Sequence, residues 1–115
     1  MTNRERYGKV VELREEKIVE YKSLHADSHT GVRHLLSKYN IHNYTIYLHQ
    51  LDDGKYYLFS HFEYSGNDFA ADMQLLSEEP ENQAWWQLTD PCQIPIRNRQ
   101  TGEQWARMEE VYHND

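Results

Sequence analysis

The chain has 115 residues, the size of a single domain, so one core and one site per subunit are expected. Its 12 Lys and Arg against 19 Asp and Glu give a net charge of −7 with no basic stripe; this argues against nucleic acid as a partner and leaves a small neutral or cationic ligand. The single cysteine, Cys92, excludes an internal disulfide. No apolar run approaches the ~20 residues that cross a bilayer, and the polar start MTNRERYGKV lacks the apolar stretch of a signal peptide, so a cytoplasmic protein without membrane contact is expected.

In chain order, Tyr7 to Leu13 is short, β-branched and bounded by charge, which predicts a strand. Glu15 to Ala26 sets Ile18, Tyr21 and His25 at helical spacing, with Tyr21 and His25 on one face that points inward. After a break near Gly31, Val32, Leu35, Leu36 and Tyr39 repeat the helical signal. The period then changes. Ile41 to Leu51 and Lys55 to Tyr64 are β-rich runs joined by Asp52-Asp53-Gly54, where Asp-Gly supplies the positive φ of a tight hairpin. Asp68 to Glu78 and Pro80 to Leu88 predict two more helices, and Met108 to Tyr112 a closing strand.

No internal repeat or linker divides residues 1–115, so the expectation is one domain. The order of strands and helices predicts an α+β fold: a ferredoxin-like antiparallel sheet with helices on one face. The other face, rich in aromatic and β-branched side chains, needs a cover, so a homodimer is expected.

Several residues suit the chemistry of a sugar. Pyranose rings stack their C–H faces on aromatic rings and offer hydroxyls to fixed donors and acceptors, which Tyr21, Tyr44 and the pair Trp85-Trp86 could supply together with His25. Adjacent helical residues diverge by about 100°, so one tryptophan of the pair is expected in the core. Anomer exchange needs proton transfers at the ring oxygen and at the C1 hydroxyl, and histidine gives and takes protons near neutrality. By composition alone the commoner role of such a histidine is a hydrogen bond in a helix–sheet interface. His25 and His29 could share a metal if their helix continues, but no HExxH glutamate accompanies them, and neither metal nor cofactor is expected. His42, Tyr44, Ile46 and Leu48 alternate onto one strand face, with Tyr47 and His49 on the other. No GxSxG, phosphate loop or CxxC is present.

At these positions the chain resembles the L-rhamnose mutarotase family. The matching segments are Glu20 to His25, Ile41 to Leu48, Phe62 to Phe69, Trp85 to Gln93 and Met108 to His113, which together span nearly the whole chain. The resemblance implies a dimeric α/β barrel of ferredoxin-like units that interconverts the anomers of a 6-deoxy-hexose, L-rhamnose or alternatively L-fucose. It implies His25 as proton donor, with Tyr21, Tyr44, Trp85 and Trp86 holding the monosaccharide. One departure stands out: where the family carries a tryptophan followed by proline, this chain reads Ala26-Asp27-Ser28-His29-Thr30-Gly31, which makes His29 an accessory candidate. Two other readings fit the same fold, a non-catalytic ligand-binding or dimerisation module and a cofactor-free monooxygenase.

Overall fold

The computed structural model describes residues 4–115. Strand β1 (Glu5–Leu13) leads through a 3-10 turn at Glu15–Lys17 into α1 (Ile18–Leu24), followed by α2 (Arg33–Lys38). The hairpin β2 (Ile41–Gln50) and β3 (Tyr56–Tyr64) comes next, then α3 (Phe69–Glu78), α4 (Pro80–Thr89), β4 (Gln93–Ile94) and β5 (Ala106–Met108). The strands form one antiparallel sheet in the order β2-β3-β1-β4, and β5 joins the same edge of β1 as β4.

Local chemistry explains where the elements start and stop. Asp68 caps α3 by accepting the Ala71 N–H at 3.0 Å, and Pro80 opens α4, where its missing N–H costs nothing. Gly54, at φ 83°, makes the hairpin turn with its N–H bonded to the Leu51 carbonyl. The expected helix over Glu15 to Ala26 is shorter: its first residues tighten into the 3-10 turn, and it ends at Leu24 with His25 as its C-cap.

The sheet face that carries Val11, Leu13, Leu58, Phe62 and Tyr64 is buried under helices. Tyr21 of α1 packs with Val11, Leu13, Leu58 and Cys92, while Leu36 of α2 and Phe69 and Met73 of α3 pack on Ile41, Phe62 and Tyr64. Val32, Leu35 and Leu76 join Trp85 of α4 in a cluster between helices. On the opposite face Tyr47 is 64% exposed. The sheet curls around its helical side into an open half-barrel, so the ferredoxin-like arrangement expected from the sequence is the one observed.

Three expectations are corrected. The last strand covers Ala106–Met108 rather than Met108–Tyr112; pairing with β1 ends at Gly8↔Met108, and residues 109–115 run on without a ladder. Together with the two-residue β4, it makes an edge strand in two pieces, interrupted by the excursion 95–105. The third correction concerns β2. A β-bulge between His42 and Thr45 puts Asn43, at φ 51°, outside the pairing, so His42 pairs with Glu63 on the face of Thr45, Tyr47 and His49 and not with Tyr44.

Candidate active site

The concave side of the half-barrel is a broad cleft of about 1860 Å³. Ligand clefts run from roughly 300 to 1,000 Å³, so one pyranose would occupy only part of it. Its floor follows from strand register. Tyr44, Phe62 and Tyr7 form one row across β2, β3 and β1, with Tyr44 and Tyr7 stacked on Phe62 at 5.3 and 5.2 Å between ring centroids. The next row is Ile46, Ser60 and Lys9; the one after it is Leu48, Leu58 and Val11, on which Tyr21 packs.

His25 stands where α1 ends. Its Nδ1 lies 2.8 Å from the Tyr21 carbonyl oxygen, a pure acceptor, which fixes the Nδ1–H tautomer and leaves Nε2 as a free lone pair in the neutral ring. The imidazole stacks on the Tyr21 ring at 4.3 Å and meets Trp85 edge-on at 5.2 Å. Burial, with Arg33 and His29 adding to it, holds its pKa below the ordinary 6.5 against the opposing bond to Tyr21.

Tyr21 is buried, and desolvation raises its phenol well above the ordinary range. Its hydroxyl accepts from Gln93 Nε2 at 3.1 Å, and Gln93 Oε1 in turn accepts from Gln104 at 3.2 Å. That relay turns the Tyr21 proton away from Gln93 and frees it for a ligand. Tyr44 is 39% exposed along its flank, yet desolvation at its hydroxyl pushes the phenol up to about 12. The phenol comes close to Ser60 without closing a hydrogen bond, and Ser60 Oγ is buried with no partner.

Trp85 and Trp86 both line the cleft, so the pair is not divided between core and pocket as helical divergence led us to expect, although the half-buried Trp85 also packs on Val32, Leu35 and Leu76. Trp85 closes the wall beside His25 and His29, whereas Trp86 is 39% exposed. His29 stacks at a tilt on Trp85, 5.4 Å away, and its Nδ1 accepts the Gly31 N–H at 3.1 Å. Because α1 ends before it, His29 does not continue a helical face with His25; their common neighbour is Trp85. Among the described residues no group of three or more His, Cys, Asp or Glu side chains is arranged to hold a metal ion.

Four further side chains belong to the site without having been singled out from sequence. Gln93 and Gln104 orient Tyr21, and they sit on the interrupted edge strand that no periodicity announces. Asp90, just past α4, lines the cleft near the Tyr21 hydroxyl, and burial raises its carboxyl. Lys9 stands on the floor with its ammonium 5.5 Å from the Phe62 ring centroid. A lysine in a charged strand reads as solvent-facing, and only the register with Ser60 turns it inward.

With this geometry in place, comparison with known proteins is informative. The family model described as L-rhamnose mutarotase matches residues 6–114. The chain belongs to the L-rhamnose mutarotase family. Members of the L-rhamnose mutarotase family are isomerases that act on carbohydrates, so the chemistry is that of a monosaccharide. Among solved structures, the crystal structure of the L-rhamnose mutarotase FA22100 from Formosa agariphila shares the fold. It superposes with a TM-score of 0.70 at 19% identity, over 96% of this chain and 99% of that one. None of the curated proteins matches this chain significantly.

Proposed function

We propose that this protein interconverts the α and β anomers of a 6-deoxy-hexose, with L-rhamnose as substrate and L-fucose as the alternative. The observation that carries the reading is the state of His25: one ring nitrogen tied to a backbone carbonyl, the other open, and the ring held between Tyr21 and Trp85. A neutral imidazole so fixed is a base at Nε2. In ring opening it takes the proton of the C1 hydroxyl while the ring oxygen gains one, and the C1–ring oxygen bond breaks to give the open aldehyde. Rotation about C1–C2 presents the other carbonyl face, and in closure the same nitrogen returns its proton to O1. His25 is thus the proton donor of the closing half-reaction. The exchange at the ring oxygen needs a second acid–base group, and Asp90, a partly buried carboxyl lining the same cleft, is the side chain we assign to it. Tyr21 and Tyr44 offer hydroxyls, and Trp85 and Trp86 give flat walls for the C–H faces of the ring. The family relationship supports the reaction type, and the absence of any step that changes oxidation state makes a cofactor unnecessary.

A homodimer built over the exposed sheet face is part of the same reading, because Tyr47 and its neighbours on that face are left uncovered by the helices. The deciding experiment is exchange NMR on L-rhamnose, L-fucose and ordinary hexoses, with and without protein. Accelerated exchange of the 6-deoxy sugars is expected. Binding of those sugars with no acceleration would make the protein a ligand-binding module, and oxygen uptake with aromatic substrates would move it to the monooxygenase reading.

A further inference from the structure

The cleft and the rest of the molecule have opposite electrostatic character. Its lining includes Arg4, Lys9, Lys22, Arg33, Arg99 and Arg107 against the two acids Asp90 and Glu103, in a chain whose net charge is −7. Three of these cations are ion-paired, Arg4 with Glu63, Arg33 with Asp27 and Arg107 with Glu103; Arg99 is held by the backbone carbonyls of Ile96 and Glu103, and Lys22 is exposed to solvent. Lys9 differs. It rises from the middle of the floor between the Tyr44 row and the Tyr21 row, and among the described residues it has neither an ion pair nor a hydrogen bond. The carboxylate whose charge acts on it, Glu103, is already held by both Nε and Nη2 of Arg107, at 3.1 and 2.6 Å. Beside Lys9 on the same row, Ser60 is 3% exposed with its hydroxyl unpartnered.

An ammonium with such surroundings is costly for the empty protein. Burial lowers the pKa of Lys9, Glu103 opposes it only in part and the face of Phe62 lies 5.5 Å away, whereas a methionine of similar length would fill the place without a charge to desolvate. A neutral hydroxyl would leave that ammonium without a contacting anion, whereas a carboxylate would form a charge-assisted bond to it. The space is sufficient, since a single pyranose does not fill the cleft.

We infer that the cleft also accepts a carboxylate-bearing aldose, a hexuronate, with Lys9 as the residue that binds the carboxylate and Ser60 beneath it as a supporting hydroxyl. Turnover of such a sugar rests on the anomer-exchange reading above; its binding does not. The test is calorimetry and exchange NMR on wild type, Lys9→Met and Lys9→Arg, with D-glucuronate, D-galacturonate and L-rhamnose. Wild type is expected to bind at least one hexuronate. Lys9→Met is expected to reduce the hexuronate-to-rhamnose affinity ratio about 10- to 100-fold, the worth of one charge-assisted bond, and Lys9→Arg to restore much of it. The melting temperature of Lys9→Met should hold or rise, because an uncompensated charge is removed. A lysine with a merely structural role would give a lower one. Failure of every hexuronate to bind, or an affinity ratio unmoved by Lys9→Met, overturns the inference and leaves the exchange of neutral sugars standing. Lys9-dependent hexuronate binding without anomer exchange of any sugar overturns the exchange reading and leaves this one.

Discussion

At the scale of single residues, the assignment of His25 rests on which nitrogen is committed. Replacing it with Asn keeps a donor for the Tyr21 carbonyl and removes the base. His25→Asn is therefore expected to lower the exchange rate by about 10²–10⁴-fold, the usual worth of a positioned acid–base group, with sugar affinity much less affected. Rates from NMR line shapes and affinities from titration separate the two. The pH dependence follows from the direction of the shift. Burial disfavours the imidazolium, so the folded pKa lies below 6.5 and Nε2 is free at neutral pH. As pH falls, the base is lost only on crossing that lowered value. The acid limb of kcat/KM should lie below 6.5 and vanish in His25→Asn; a limb above 6.5 would mean that the imidazolium is stabilised in the site. His29→Ala is the matched control. Its ring packs at a tilt against Trp85, so it should alter sugar preference more than rate, and a larger rate loss there than in His25→Asn would reverse the roles of the two histidines.

At the scale of elements, the loop between α1 and α2 holds the wall in place. Gly31 has φ 55°, and a Cβ added there would meet the Trp85 ring at 3.6 Å. That separation is an ordinary contact, so Gly31→Ala should cost about 1–2 kcal/mol of stability from the left-handed backbone, and any backbone shift that relieves it would carry the loop against the tryptophan beside His25. Gly54 is a comparison free of the site, since it has φ 83° and a Cβ added there would meet nothing within 4 Å. Gly54→Ala should lose comparable stability in a thermal melt while keeping exchange activity, and equal activity losses in both variants would show that Gly31 has no special connection with the wall. The hairpin around Gly54 was legible because turn chemistry and alternation are local. The helices over Phe69–Glu78 and Pro80–Thr89 were legible for the same reason: the spacing of Phe69, Met73 and Leu76 marks the first and an N-terminal proline opens the second. Strand β4 was not. Two residues carry no periodicity, and what makes them a strand is the edge of β1 left open beside Leu13 and Glu12. With β4 went Gln93 and the relay to Tyr21. His42 was assigned to the wrong face because strict alternation cannot anticipate an extra residue in the strand.

At the scale of the whole molecule, four helices protect one side of the sheet and leave the other to whatever meets it. Tyr47, 64% exposed, lies there with the half-buried Tyr57 and Phe59, close to one another through the pairing of β2 with β3. A dimer across this face is expected in sedimentation at micromolar concentration. Tyr47→Glu combined with Phe59→Lys should shift it to monomer with only modest loss of fold, and a wild type that sediments only as monomer would remove the dimer from the reading. What the sequence could supply at this scale was the count of faces and covers. The concentration of cations inside an acidic molecule lay beyond it, since Arg4, Lys9, Arg99 and Arg107 meet only through the register of β1 and the excursion 95–105.

The bulge in β2 has a consequence for how this site can be lost. Asn43 is the supernumerary residue, and Tyr44 faces the same way with or without it, because Phe62 opposes Tyr44 in either register. Deleting Asn43 would therefore leave every wall residue present and correctly turned, yet it would relax the extra bend that a bulged strand puts into its sheet. The expected product is a well-folded protein with a shallower bowl, whose sugar affinity drops although no contacting side chain has been exchanged. Curvature in this fold is a heritable trait carried by one codon, and a comparison of chains by substitutions alone would pass over it.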